Sequence, residues 1–427
     1  MLFRPLTLTA LASTALFSAC GGGDSTSSSD AEGAGDDAVT LQTKSVHCTP
    51  TADNSRKVMV TGHSVFKNDA QGNPLPQPAQ MRIWCADESG QWKSDVVDDS
   101  DSNVFHKIIP MPNGTLVTIG AMAAHLKEWT VTDGNWGGKT LWEKSWGGRF
   151  DRLRDIEIGD VDHDGKDEWA IATHDQGVVA VYNPDEGADA VIEMDQTADT
   201  FVHEIEIGDL EGDGKLEFFA TPSDRNQVGH SQKGAIVMYR FDGTQYVRSV
   251  VEAKEGTHAK EILATDLNGD GKSELLGVFE AELNGSGGIV TPVQIRSYEL
   301  QEDGSFTASV LAEIEDEMCR FLVAGDLDGD GQVEMVASAK TSGVWLLEVQ
   351  EDGSWVPQNI DENSSGFEHV SKLMDMDGDG TPELYVAADK QRTLSQYSWN
   401  AETESYDKKI LGSLPSGFTW NLEGGQL

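Results

Sequence analysis

The sequence predicts an all-β protein, a β-propeller of seven blades, and three observations lead to this fold. A nine-residue acidic stretch, written DLDGDGQVE in its fourth copy, recurs five times at spacings of 49, 57, 60 and 49 residues. Short apolar segments flank each copy in a regular order, as expected for antiparallel strands joined by turns. Repeating units of about 50 residues with four strands each are typical of propeller blades.

Each strand of the unit has its own signal. The first strand precedes the acidic stretch, as in RDIEIG or RFLVAG, and the second strand follows it, as in WAIAT or MVASA. The third strand is seen in GVVAVY (177–182) and GAIVMYRF (234–241), and the fourth in YVRSVVEA (246–253) and DKKILG (407–412). The five acidic copies therefore mark five blades.

Two further blades lack the acidic stretch. Residues 105–130 repeat the strand pattern around the short turn PMPNG and form a sixth blade. Residues 56–62, 80–87 and 91–97 supply three strands of a seventh blade, and the C-terminal residues 417–423 supply its missing first strand. Joining the chain ends removes the open sheet edges that promote aggregation. The pattern favours seven blades over six or eight.

The N-terminus predicts an export signal. Arg4 precedes an apolar run of about a dozen residues, which is too short to span a bilayer. Residues 1–19 are therefore expected to be a signal peptide. The run ends in FSAC (17–20), which resembles the lipobox of bacterial lipoproteins, although Phe17 stands where Leu is usual. The resemblance implies acylation of Cys20 and an exported, membrane-anchored lipoprotein at the outer membrane or cell surface. Ordinary secretion is the alternative.

The remaining chain divides simply. Residues 20–45 are rich in Gly, Ser and Asp, which predicts a lipid-anchored flexible tether, and residues 46–427 are expected to form one propeller domain. An exported chain permits a disulfide, and Cys48 and Cys85 are the plausible pair because both lie in the first structured region. Cys319 begins an apolar strand and is expected to be a buried thiol.

The acidic stretches predict metal sites. Each offers side-chain oxygens at positions 1, 3, 5 and 9, and Gly at position 6 permits the backbone reversal of a tight turn. Ligands that are all hard oxygens favour Ca²⁺ over Mg²⁺, which prefers to keep its waters. The spacing differs from the EF-hand, where the closing Glu comes at position 12.

The repeated DxDxDGxxE motif resembles the calcium loops of integrin-like FG-GAP and VCBS propeller repeats over roughly residues 100–412. Segments such as IEIGD stand where integrin repeats have their Phe-Gly and Gly-Ala-Pro signature, so the bacterial VCBS-type branch is the nearer match. The resemblance implies about five Ca²⁺ ions that are structural, not catalytic. Its ligands would be Asp160, Asp162, Asp164, Glu168; Asp209, Glu211, Asp213, Glu217; Asp266, Asn268, Asp270, Glu274; Asp326, Asp328, Asp330, Glu334; Asp375, Asp377, Asp379 and Glu383.

Glu211 at position 3 departs from the motif, and the second site is expected to be the weakest. The proposed ligand positions contain 19 carboxylates, so bound calcium would offset part of the formal net charge of −42. The same acidity argues against nucleic acid as a partner, because phosphates would be repelled.

A second set of residues lies six positions before each first Asp, and alignment of the strand pattern in the other two blades adds His106 and Trp420. In the related propellers, this start of the innermost strand lies around the central funnel, on the face opposite the acidic loops. A cationic ring there would bind an anionic ligand, such as a uronate, a sulfated sugar or an acidic peptide. The alternative is that these residues pair with nearby carboxylates and pack the channel. The predicted ring comprises His106, Arg154, His203, Lys260, Arg320, His369 and Trp420.

The sequence carries no GxSxG, HExxH or phosphate-loop motif. It favours a calcium-stabilised surface propeller that binds or adheres to an extracellular or periplasmic glycan or protein, with the membrane reached through the lipid anchor. The alternative is a polysaccharide lyase, in which a funnel His or Lys acts as the base and Arg neutralises the substrate. Longer loops at 63–79, 222–233 and 280–292 are expected on the same face.

Overall fold

The structure is a computed structural model of the 427-residue chain. It describes residues 39–40, 47–50, 56–147, 151–187, 190–225, 230 and 232–427. The predicted signal peptide, the acylation site at Cys20 and almost all of the tether lie outside the described residues. They therefore stay predictions.

The described residues form strands and no helix, so no helix there could cross a membrane. The strands are β1 (Val39–Thr40), β2 (Lys57–Asn68), β3 (Pro74–Pro76), β4 (Ala79–Ala86), β5 (Trp92–Asp99), β6 (Phe105–Pro110), β7 (Leu116–Gly120), β8 (Ala124–Thr132), β9 (Asn135–Lys144), β10 (Leu153–Gly159), β11 (Glu168–Thr173), β12 (Val179–Tyr182), β13 (Val191–Asp195), β14 (Thr200–Gly208), β15 (Glu217–Asp224), β16 (Gly234–Phe241), β17 (Tyr246–Lys254), β18 (Ala259–Thr265), β19 (Glu274–Phe279), β20 (Glu282–Leu283), β21 (Ile289–Thr291), β22 (Val293–Leu300), β23 (Phe306–Ile314), β24 (Cys319–Gly325), β25 (Glu334–Ala339), β26 (Gly343–Val349), β27 (Trp355–Asp361), β28 (His369–Met374), β29 (Glu383–Ala388), β30 (Thr393–Asn400), β31 (Ser405–Ser413) and β32 (Gly417–Gln426).

Seven antiparallel blades confirm the predicted propeller. Blades two to seven are β6-β7-β8-β9, β10-β11-β12-β13, β14-β15-β16-β17, β18-β19-β22-β23, β24-β25-β26-β27 and β28-β29-β30-β31. Their first strands contact one another in order, and β32 contacts both β28 and β6. These seven strands therefore form a closed inner circle around the axis.

The first blade closes the circle as predicted. Strand β32 pairs with β2, which pairs with β4, which pairs with β5. Beyond this ladder, the backbone N–H of Leu427 donates to the carbonyl of Arg56 at 3.0 Å, and the N–H of Arg56 donates to the carbonyl of Leu427 at 2.7 Å. The residue just ahead of β2 and the C-terminal residue are thus held in one sheet.

The hydrophobic core lies between adjacent blades, where the faces of neighbouring sheets meet. One such cluster joins Ala170 and Val179 of the third blade to Phe218 and Val237 of the fourth. The predicted disulfide between Cys48 and Cys85 is present, with Cα atoms 5.5 Å apart. It ties the segment ahead of β2 to the middle of the first blade.

Candidate functional site

The five acidic loops connect the first and second strands of blades three to seven, and their side chains are fixed by the backbone. In the fourth loop, Asp326 Oδ2 accepts the N–H of Gly331 at 3.0 Å, and Glu334 Oε2 accepts the N–H of Leu327 at 2.8 Å. Asp330 Oδ1 accepts the N–H of Gln332 at 2.8 Å. The turn therefore orders the carboxylates before any ligand binds.

The loops need a left-handed backbone at two positions, of which the sequence analysis identified only the sixth. In the fourth loop, φ is 79° at Gly329 and 88° at Gly331. Position 4 is Gly in four of the loops, and in the first loop His163 adopts a φ of 64° there. The first glycine of each GDG run was the missed signal, because glycine adopts this conformation without strain.

Three loops bring carboxylate oxygens close enough to share one metal ion. In each of these groups the ligand oxygens lie within 4.8 Å of one another, and the groups are Asp160, Asp162 and Glu168; Asp326, Asp328 and Glu334; and Asp375, Asp377 and Asp379. Burial and the neighbouring carboxylates raise the pKa of Glu168 and of Glu334 to about 7. A cation bound among them would relieve this repulsion.

The first loop provides a direct test of fit for a cation. Glu168 is 1% exposed, and its Oε2 atom is buried without a hydrogen-bond partner. A buried carboxylate oxygen normally has a donor or a metal ion beside it. The all-oxygen ligand set and this free oxygen fit Ca²⁺.

The third loop carries the same set with an amide at position 3. Asn268 Nδ2 donates to Glu274 Oε1 at 2.6 Å, and burial raises the pKa of Glu274. Asp266 is held as in the other loops, with its Oδ2 accepting the N–H of Gly271 at 2.8 Å. The backbone turn of this loop therefore matches that of the other loops, but its three carboxylates do not form a group as close as those of the three loops above.

The second loop does not fit a cation. The side chain of Arg240 lies between its carboxylates, with Nη2 at 2.8 Å from Glu211 Oε2 and Nε at 2.9 Å from Glu217 Oε1. A guanidinium already occupies the space between positions 3 and 9. The loop predicted to be the weakest site thus has an internal positive charge in place of an ion.

The starts of the first strands lie on the opposite face, and six of the seven predicted ring residues lie at β-bulges. At each of these residues, the pairing between the first and second strands of the blade shifts its register. The six residues are His106, Arg154, His203, Lys260, Arg320 and Trp420. A bulge inserts an extra residue and redirects its side chain. The six residues therefore share one local backbone feature at the start of the inner strands.

Contacts join five of these six residues into two groups. The ring of Trp420 lies 5.0 Å from that of His106 and 5.5 Å from the guanidinium carbon of Arg154. Lys260 Nζ lies 2.7 Å from His203 Nε2. Arg320 and Arg154 both lower the pKa of Lys260, to which burial contributes most. The charges of Arg154 and Arg320 therefore both act on Lys260.

His369 does not belong to this ring, which corrects the assignment made from spacing. Strand β28 runs without a bulge, so His369 pairs directly with Ala388. Its Nδ1 lies 2.7 Å from the carbonyl oxygen of Ala339 and its Nε2 lies 2.7 Å from Ser364 Oγ. Burial lowers the pKa of His369 to about 4. The residue is a buried contact between the sixth and seventh blades.

The other histidines of the ring are neutral near pH 7. Burial is the main cause that lowers the pKa of His106 and His203, and Arg154 adds to it for His106 while Lys260 adds to it for His203. The permanent positive charges of the mouth are therefore its guanidinium groups.

The two arginines of the mouth have different surroundings. Arg320 forms an ion pair with Glu368, which is fully buried, and its Nε lies 3.7 Å from Glu280 Oε1. Among the described residues, no carboxylate oxygen lies within 4 Å of Arg154. Arg320 is therefore paired with carboxylates, as the alternative interpretation of the ring predicted. Arg154 has no such ion pair and lies beside Trp420.

The sequence analysis missed several residues that complete the mouth. The ring of His174 lies 5.3 Å from that of His203, and His258 lies 5.6 Å from it on the other side. His174 and Glu280 directly follow the second strands of their blades. The ends of second strands lie on the same face as the starts of first strands, and this topological rule could have identified both residues.

A pocket of about 660 Å³ adjoins the ring between the seventh and first blades. Its walls include Phe66 and Lys67 of the predicted 63–79 loop, together with Phe367, Lys390 and Phe418. The Phe418 ring lies 5.7 Å from that of Trp420, and the guanidinium carbon of Arg320 lies 4.1 Å from the centre of the Phe367 ring. Aromatic walls therefore run from the pocket to the charged ring.

Carboxylates lie on the inner strands next to the ring, further into the channel. Asp155 pairs with Lys107 at 2.9 Å. Burial, with nearby negative charges, raises the pKa of Glu204 and Glu261 well above the usual range. Arg154 lowers the pKa of both groups, so each carboxyl group interacts electrostatically with this guanidinium.

Comparison with known families and structures agrees with this geometry. Residues 326–386 match the FG-GAP-like repeat. The matched segment begins at the fourth acidic loop and ends in β29, after the fifth. The chain is thus a seven-bladed propeller that contains an FG-GAP-like repeat region.

Solved structures show the same fold at low identity. A protein from Lactobacillus plantarum aligns with a TM-score of 0.58 and 11% identity, over 87% of this chain and 99% of that one. The periplasmic gluconolactonase of Pseudomonas aeruginosa aligns with a TM-score of 0.52 and 14% identity, over 87% and 99%. At these identities the likeness shows the fold alone. No curated protein sequence matches the chain.

Proposed function

We propose that this protein is an exported, calcium-stabilised propeller that binds an acidic glycan at the funnel mouth. The observation that carries the proposal is Arg154, a buried cation that lies against the face of Trp420 and has no carboxylate partner within the described residues. A guanidinium in this setting can hold a carboxylate or sulfate through two parallel hydrogen bonds.

The pocket beside the ring supports a sugar as the rest of the ligand. Its volume of about 660 Å³ lies within the 300–1,000 Å³ range of small-ligand sites. Phe367 and Phe418 offer apolar faces, and Lys67 and Lys390 offer donors at its rim. A short uronate or sulfated oligosaccharide could place one acidic group at Arg154 and lay its rings along this wall.

The acidic loops would stabilise the scaffold from the other face. Ca²⁺ bound by the carboxylates of the first, third, fourth and fifth loops would neutralise charges that otherwise repel one another. These loops fasten the first strand of each blade to the second. Calcium would therefore hold the inner strands, and with them the ring residues, without touching the ligand.

Export is supported by the bonded Cys48 and Cys85, since disulfides persist in oxidising compartments. A lipid on Cys20 would attach the domain to the outer membrane or cell surface through the tether.

Binding can be tested by calorimetry with acidic oligosaccharides, using uronate and sulfated chains and a neutral oligosaccharide as control. Arg154→Ala should weaken binding of the acidic chain by roughly 1.5–3 kcal/mol, the net value of a hydrogen bond to a charged group. Arg248→Ala on the outer strand β17 is the matched control and should leave affinity unchanged. Equal binding of neutral and acidic chains, or no effect of Arg154→Ala, would overturn the proposal.

One observation favours a second candidate, a polysaccharide lyase. Lys260 and His203 lie in direct contact, and burial lowers the pKa of Lys260 well below its usual range. A neutral amine could remove the proton next to the uronate carboxyl group, so that a C=C bond forms and the C–O bond to the neighbouring sugar breaks. The departing sugar oxygen would then take a proton from the Lys260 ammonium or from water. Ultraviolet absorbance of the unsaturated product, lost in Lys260→Met, would support this activity over simple binding.

A further inference from the structure

Arg240 occupies a cross-strand position that is equivalent in all five blades with an acidic loop. It follows Tyr239, whose partner in the ladder is Phe218, so Arg240 lies beside Glu217. The same register in the third, fifth, sixth and seventh blades places a neutral or acidic residue beside the closing Glu: Asn183, Glu299, Glu348 and Ser398. Arg240 is the exception among the five.

The second departure of this blade lies in the same loop. Position 3 is Asp or Asn in the other four loops and Glu211 here. The extra methylene group carries the Glu211 carboxylate to 2.8 Å from Arg240 Nη2, while Arg240 Nε contacts Glu217 at 2.9 Å. Two unusual residues, 29 positions apart in the chain, therefore meet in one ion-pair triad between the loop and the third strand.

We propose that Arg240 replaces the metal ion in the second loop, so that the fourth blade is fastened without calcium. The guanidinium contacts the carboxylates at positions 3 and 9, which a bound cation would otherwise hold together. It also connects them to β16, the strand that carries Arg240. The inference rests on the proposed calcium binding by the other loops. It sets the number of structural calcium ions at four per chain, in place of the five implied by the motif.

The ion-pair triad would stabilise the fourth blade without calcium, whereas blades on both sides of it would depend on calcium. The third blade precedes it, and the fifth, sixth and seventh follow it. Removal of calcium should loosen the loops on both sides and leave the loop at 209–217 ordered.

Metal analysis of the full protein after gel filtration in trace Ca²⁺ tests the inference. The wild type should retain four ions. The double variant Glu211→Asp, Arg240→Ser restores the complete motif and should retain one more. Asp209→Asn should leave the wild-type count unchanged, whereas the matched Asp326→Asn should lower it by one.

Hydrogen exchange supplies a readout that does not depend on counting ions. On adding a chelator, amides of the loop at 326–334 should exchange faster, while those at 209–217 should keep their protection. Loss of an ion in Asp209→Asn, or equal loss of protection in both loops, would overturn the role of Arg240. A wild-type count of zero would overturn the calcium proposal itself and this inference with it, so the two failures are distinguishable.

Discussion

Replacing Arg320 with alanine should destabilise the propeller strongly, although the residue stands at a proposed binding mouth. Its side chain is 9% exposed and pairs with Glu368, which is 0% exposed. Its Nε atom also lies 3.7 Å from Glu280. The substitution would leave the Glu368 carboxylate buried without a counter-charge, while Glu368 Oε2 already lacks a hydrogen-bond partner.

The size of the effect follows from this burial. Removing one partner of a buried ion pair costs about 3–5 kcal/mol. An unfolding entropy of about 2.1 cal/mol/K per residue, over roughly 380 residues, gives about 0.8 kcal/mol per degree, so Tm should fall by roughly 4–6 °C. Arg154→Ala is the matched control, because it removes the same side chain from the same ring without stranding a carboxylate. It should cost roughly 1 kcal/mol through its lost contact with Trp420.

Thermal and urea unfolding in saturating Ca²⁺, followed by tryptophan fluorescence, measure both changes. Adding Glu368→Gln to Arg320→Ala removes the stranded charge and should recover at least half of the lost stability. If Arg320→Ala costs no more than Arg154→Ala, or if Glu368→Gln gives no recovery, the ion pair does not stabilise the fold as described.

Three further results are expected. In excess chelator, stability should fall as pH rises from about 4.5 to about 7, because the raised pKa of Glu168 and Glu334 makes ionisation costlier in the folded state; saturating Ca²⁺ should abolish or reverse this trend in melts at pH 5 and 7.5, and a flat profile in chelator would refute it. Gly331→Ala, at a φ of 88°, should cost about 1–2 kcal/mol in urea unfolding, whereas Gly285→Ala in open space at ordinary φ should cost little, and equal effects would argue against backbone strain. Cys20→Ser should move the protein from the membrane fraction to the soluble fraction on immunoblots; continued membrane association would indicate another attachment.

The sequence predicted the fold well because its acidic loops recur in phase. A motif that returns every 49 to 60 residues fixes the blade boundaries, and the three unmatched strands near the N-terminus require a fourth from elsewhere. Strand β32 supplies it. The disulfide followed from elimination among few cysteines. These features depend on local residue patterns and on the numbers of repeats, strands and cysteines, all of which can be obtained from a single sequence.

The ring was predicted only in part, because equal spacing does not mean equal register. A bulge accompanies six of the seven predicted positions, but β28 has none, and His369 therefore takes a regular ladder position. The sequence HVSKLM of β28 contains no pattern that predicts the absence of a bulge.

Cross-strand partners escaped the sequence analysis for a related reason. Glu211 was recognised as a departure, but Arg240 lies on another strand, and only the pairing of β15 with β16 brings them together. Burial also lies outside the sequence pattern. It holds the pKa of His106 and His203 well below the usual range, so these residues do not act as simple charged groups.

The disulfide between Cys48 and Cys85 has a mechanical consequence. Tension applied to the chain ahead of Cys48 passes through the sulfur bridge into β4, in the middle of the first blade. The loop between the two cysteines, which includes β2, cannot be drawn out while the bridge is intact. The pairing of β2 with β32 closes the circle of blades. It is therefore shielded from direct pulling, and the ring should stay closed under such tension until the bridge is reduced.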